Sequence, residues 1–214
     1  MPRPENGSAF LPRSTDRRSI LTGIVLLFAA PWLGSARAAT ALGRAVNARG
    51  SVERRRDKAV ERLAVGAPLI ERDAVVTGRK SYAELRLGAA TRVFLGGETE
   101  LVIDRFVAEQ GGTLELGAGR MVFDRPEGES KVDMELRTAF GMIGVRGTKF
   151  FCGPSRGAFA VFVEHGEVVV SNAGVVQTVR PGQGVDVASP NAPPTDPAEW
   201  GQARIEEAYA SVGL

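Results

Sequence analysis

Hydrophobic and polar positions alternate with a period of two through most of this chain. In Ser81-Tyr82-Ala83-Glu84-Leu85-Arg86-Leu87, the apolar Ala83, Leu85 and Leu87 fall on one face and Glu84 and Arg86 on the other. That is the signature of a strand with one face in a core. Gly88-Ala89-Ala90 breaks the run, and Thr91, Val93 and Leu95 resume the inner face. Paired as a hairpin, the two runs set Arg86 opposite Arg92, a like-charge contact that Glu84, diagonal to Arg92, is placed to offset.

The same alternation recurs from Ala41 to about Ser189: Leu101-Val102-Ile103, Thr113 to Leu116, Gly119 to Phe123, Met134 to Leu136, Ala160 to Val163, Val168 to Val170, Val175 to Val179, and Val185 to Val187. Glycines at 66, 78, 88, 111, 112, 117, 119, 166, 174, 182 and 184 punctuate these runs, where turns call for positive φ. Short strands at a spacing of roughly 8–12 residues, without a strict repeat, predict an all-β fold of two packed sheets with solenoid-like character. The style changes at Ser189-Pro190-Asn191-Ala192-Pro193-Pro194, which reads as a stiff linker. Asp196-Pro197-Ala198-Glu199 then supplies an N-cap, a proline at the first helical position and an acid at the third. Ile205, Ala208, Tyr209 and Val212 follow at helical spacing, so a short C-terminal helix is expected to dock on the β body, with a partner-binding helix as the other reading.

The N-terminus reads as an address. Arg17-Arg18 precede an apolar run from Ile20 to Leu33, which ends at Gly34-Ser35-Ala36-Arg37-Ala38, a small-residue cleavage pattern carried by Ala36 and Ala38. The run is shorter than the ~20 residues that span a bilayer, and Gly23 and Pro31 interrupt it. A twin-arginine signal cleaved after Ala38 is expected, leaving no stable membrane span, with Sec export or an uncleaved anchor as alternatives. The expected organisation is therefore an export signal over 1–38, a β domain over 39–189, and a linker with helix over 190–214.

Charge changes the picture once it is located. The formal charge is +2, but five of the 27 basic residues and two of the 25 acidic ones fall in 1–38, which leaves 22 against 23 in the body. A body without a net basic field gives nucleic acid little electrostatic support. One cysteine, Cys152, forbids an internal disulfide, and one histidine, His165, removes most metal and nucleophile-base constellations. Glu164, His165 and Glu167 crowd one turn and cannot surround an ion. Cys152 is expected to be a buried small hydrophobe, and Asp73 an acceptor for backbone N–H groups at a turn. No phosphate loop follows a strand and opens a helix. No catalytic residue, cofactor or metal is assigned, and the chain is not expected to be an enzyme.

In Met142-Ile143-Gly144-Val145-Arg146-Gly147-Thr148-Lys149-Phe150, a guanidinium sits between apolar runs. It is expected to enter or skirt a core and to satisfy backbone carbonyls or an acid such as Asp73 or Glu164, with Gly147 letting the chain pass close. Arg146→Ala would then cost roughly 3–5 kcal/mol; the other reading makes Arg146 a recognition residue. Gly78-Arg79-Lys80-Ser81-Tyr82-Ala83-Glu84-Leu85, Arg137-Thr138, Val145-Arg146-Gly147-Thr148-Lys149-Phe150, Glu164-His165-Gly166-Glu167-Val168 and Pro181-Gly182-Gln183-Gly184 resemble the successive motifs of FecR-type periplasmic domains, over about residues 42–188. Val145, Arg146, Gly147 and Thr148 are the most specific part. The resemblance implies an all-β periplasmic domain in a family whose best-known members relay the state of an outer-membrane transporter to a cytoplasmic anti-sigma segment that regulates iron uptake. About 19 residues before the apolar run are too few for such a segment to fold, so it is expected to be missing here. What remains is an interaction or sensing module that docks an envelope protein along a strand edge, in cell-envelope or iron-uptake signalling. The alternative is a passive envelope scaffold or glycan-binding domain, which an aromatic content of 7% does not favour.

Overall fold

Two nine-stranded sheets face each other, and the chain lays strands on them by turns. In the computed structural model, which describes residues 40–107 and 110–214, sheet 1 begins with β1 (Gly43–Arg49), and the chain crosses to sheet 2 for β2 (Val52–Arg56) and β3 (Ala59–Arg62). It returns for the short β4 (Pro68–Leu69) and crosses again for β5 (Ala74–Thr77). The hairpin β6 (Tyr82–Leu87) and β7 (Thr91–Leu95) lies in sheet 1, and β8 (Glu100–Val107) and β9 (Gly111–Ala118) in sheet 2. Next come β10 (Met121–Asp124) in sheet 1, β11 (Asp133–Thr138) and β12 (Gly141–Arg146) in sheet 2, and β13 (Lys149–Ser155) and β14 (Ala158–His165) in sheet 1. The last exchanges place β15 (Val168–Asn172) and β16 (Val175–Val179) in sheet 2 and β17 (Gln183–Val187) and β18 (Ala198–Glu199) in sheet 1. All pairings are antiparallel except β9 with β11.

The alternation in the sequence is what makes this arrangement close. Ala83, Leu85 and Leu87 of β6 are buried and oppose Leu95, Val93 and Thr91 of β7. The register sets Arg86 opposite Arg92, as the hydrophobic pattern requires. Ile103, Leu114, Phe123, Leu136, Phe150 and Cys152 fill the space between the sheets. Each such aliphatic or aromatic side chain contributes about 1.5–3 kcal/mol of burial.

Strands β10, β13 and β14 read as continuous apolar runs because their second face is covered too. A separate cluster of Val122, Phe151, Ala160 and Phe162 lies on the outer face of sheet 1 under Trp200, Ala208 and Val212 of the C-terminal segment. Trp200 stacks on Phe162 at 5.0 Å between centroids, and the Arg204 guanidinium sits 3.8 Å above the indole.

That segment corrects one expectation. The helix α1 runs Gln202–Ala210 behind Gly201, with no side-chain cap, and Ala198–Glu199 is instead strand β18, paired with β17. The capping signal at Asp196 is local, and the open edge of β17 outcompetes it by offering ladder hydrogen bonds. Hydrogen bonds also tie the Pro-rich stretch to the β body. Asn172 Nδ2 donates to the carbonyls of Pro190 and Ala192 at 2.9 and 2.8 Å, and the Thr195 N–H donates to the Asp186 carbonyl at 2.9 Å. The expected export residues Arg17, Arg18, Ala36 and Ala38 lie outside the described residues.

Candidate functional site

The Val145-Arg146-Gly147-Thr148 motif is a corner between sheets. Val145 is the last inward residue of β12 and is buried, whereas Arg146 points away from the core. Gly147, at φ +62°, turns the chain from sheet 2 toward sheet 1, and a Cβ there would press on Lys131. Thr148 is fully buried, and its carbonyl accepts the Arg125 N–H at 3.1 Å. The second motif is the next corner along: Gly166, at φ +82°, carries the chain from β14 to β15, and a Cβ there would lie 2.4 Å from Thr148 Cγ2. The two motifs thus stack on one another, with Gly166 fixed by Thr148 and Gly147 by Lys131.

Arg146 does not plug the core. Its side chain is 73% exposed and reaches Asp133 at 3.5 Å, while Asp133 is 83% exposed. The two acids expected as its partners are already taken. Asp73, fully buried, receives Arg56 Nε at 2.7 Å and Nη2 at 2.8 Å as well as the Ile70 N–H at 2.9 Å. Glu164 receives Lys149 Nζ at 2.9 Å. The turn role read for Asp73 is therefore present, with a bidentate arginine added to it.

Arg146 instead borders a depression on the outer face of sheet 2. Two adjoining hollows of about 640 and 750 Å³ share Asp133, Met134, Gly144 and Val169. Gly144 creates the notch: it is an outward position of β12, opposite Glu135 of β11 and Val169 of β15, and it has no side chain to fill the gap. A Cβ built there meets nothing closer than the Val169 carbonyl oxygen at 3.8 Å. Gly111 and Gly112 lower the floor on the far side, where β9 approaches both neighbours so closely that a Cβ would strike the Asp133 and Arg105 carbonyls. Exposed Met142 and Val169 flank the notch, with Arg105 and Glu135 beside them.

The depression crosses β8, β9, β11, β12 and β15, a span of about 19 Å at ~4.8 Å per strand. An extended segment of roughly six residues covers that distance. Its lining of charges of both signs around the exposed apolar side chains of Val107, Met142 and Val169 suits peptide recognition. Sequence reasoning placed Arg146 but missed Gly144, Met142, Val169 and Glu135, although a glycine between inward Ile143 and Val145 marks a gap on the outward face.

Residues 73–169 match the family model described as FecR protein. This segment is a FecR domain. Both stacked corners and most of the notch fall inside it. No curated protein matches the chain. Two crystal structures of a candidate anti-sigma factor from Parabacteroides distasonis share the fold of this chain, each with a TM-score of 0.52 and 18% identity, over 62% of this chain and 62% of that one. The chain therefore spans under two thirds of the length of those neighbours.

Proposed function

We propose that the protein is an exported FecR-domain module that senses or scaffolds by docking an extended segment of an envelope protein, in cell-envelope or iron-uptake signalling. The observation that carries this reading is the Gly144 notch, which opens the outer face of sheet 2 beside the domain's most specific motif. The expected strand-edge docking gives way to this face, because the notch joins backbone access to side chains of both charge signs. The candidate anti-sigma factor that shares the fold is consistent with a signalling context. The role is non-catalytic and uses no cofactor.

Gly144→Phe tests the site directly. The added ring points outward into open space, so stability is expected to change by no more than about 0.5 kcal/mol. A photo-reactive residue at Val169 should crosslink an envelope protein in cells, and Gly144→Phe should abolish the crosslink. Retention of the same crosslink in the Phe variant, or saturable sugar binding with no protein partner, overturns the reading. For export, replacing Arg17 and Arg18 by lysine should hold precursor in the cytoplasm; undiminished periplasmic product rules out the twin-arginine route.

A further inference from the structure

The outer face of sheet 1 carries a second surface, along a row of outward residues that begins on β1. Strand register places one outward residue from each of six neighbouring strands in a row: Arg44 opposite Arg86, Arg86 opposite Arg92, Arg92 opposite Asp124, Asp124 opposite Lys149, and Lys149 opposite His165. Like charges directly opposite each other on adjacent strands repel. One half of the row is neutralised, since Arg92 Nη2 reaches Asp124 at 2.7 Å and Lys149 reaches Glu164. The other half is not. Among the described residues neither Arg44 nor Arg86 forms an ion pair, and Arg86 Nε is buried with no hydrogen-bond partner. Glu84, two residues along β6, is the one acid on the same face of that strand, and it pairs with neither.

A trough of about 660 Å³ opens at these two arginines. The rest of its lining is mostly small, with Gly43, Gly66, Pro68 and Gly88 among it. A buried N–H donor without an acceptor is costly, and two guanidinium forks at cross-strand distance match the oxygens of a single tetrahedral or planar anion.

We propose that the trough at Arg44 and Arg86 is an anion-binding site that takes a phosphate-type oxyanion, either free or carried as a lipid headgroup. The bound anion accepts from the two guanidinium groups that line the trough and cancels the repulsion along the row. The site is separate from the Gly144 notch, which lies on the other sheet, so it does not depend on the docking function.

The test uses the full chain, with thermal unfolding followed as inorganic phosphate replaces chloride at constant ionic strength. A saturable rise in melting temperature is expected. Arg86→Gln should raise the melting temperature in phosphate-free buffer, by relieving the row, and weaken the phosphate response at least tenfold. Lys58→Gln, on the exposed β2–β3 turn, should leave the response intact. Arg44→Gln, at a more exposed position, provides the second variant if Arg86→Gln does not fold, and the same loss is expected. Flotation with phosphatidylglycerol vesicles against phosphatidylcholine vesicles separates the sources. Retention lost on Arg86→Gln assigns the headgroup, and a phosphate response without retention assigns the free ion. The site is overturned if neither phosphate nor phosphatidylglycerol elicits a response, or if the arginine variants respond like the parent chain.

Discussion

Removing Asp73 should cost several times more than removing Arg146, although the sequence motif draws attention to the second. Asp73→Ala deletes a fully buried carboxylate together with three hydrogen bonds, two of them from the Arg56 guanidinium. Breaking a buried ion pair from one side costs about 3–5 kcal/mol when the abandoned charge stays buried. Arg56 is 34% exposed and can recover some water, which lowers the expected loss to about 2–4 kcal/mol, with the orphaned Ile70 N–H included. Asp73→Asn keeps an acceptor for Ile70 and should fall between Ala and the parent. Arg146→Ala removes an ion pair whose partners are both mostly exposed, worth about 0–1 kcal/mol. Urea unfolding followed by far-ultraviolet circular dichroism measures all three. Equal losses for Asp73→Ala and Arg146→Ala, or a loss above about 2 kcal/mol for Arg146→Ala, would refute the assignment of the two arginines.

Trp200→Ala should cost about 3 kcal/mol by emptying the seat above Phe162, and the amides of α1 should exchange much faster, because nine residues do not hold a helix alone; unchanged exchange contradicts the role given to Trp200. Burial pushes the Cys152 thiol up, so iodoacetamide at pH 8 should label the chain only in denaturant, and labelling of the native protein at a free-thiol rate rules this out. Burial works against ionisation of Glu164, but the nearby Tyr209 hydroxyl and Lys149 ammonium prevail and hold its carboxyl below the ordinary 4.5. The unfolded chain therefore takes up the proton first as the solution is acidified. The stabilising contribution is complete above the unfolded value and is lost as pH falls through the folded one. Glu164→Gln should flatten the dependence of stability on pH below about 4.5, and an unchanged acid limb counts against the Lys149–Glu164 contact.

Much of the fold was legible because period-two alternation states which side of a strand is wet. The β6–β7 hairpin and its Arg86–Arg92 pairing follow from that alone, as do the inward Cys152 and the turn at Asp73. Alternation does not say which strands become neighbours. The partner of Asp73 was therefore out of reach, because Arg56 arrives from a strand that only the fold brings alongside. The same gap hid the full row across sheet 1, whose members lie on six strands, and the notch, whose walls come from five. Local capping chemistry at Asp196 pointed to a helix start, and it lost to a strand edge fixed by distant residues.

Because the chain builds its two layers by turns, adding one or two strands to a layer before crossing over, each increment leans mainly on the increments before and after it. Disturbance at one end therefore has no short mechanical route to the other. Lesions at the arginine trough and at the glycine notch should combine by simple addition, and a chain of this kind can be lengthened or worn down at its extremities while the middle keeps its shape.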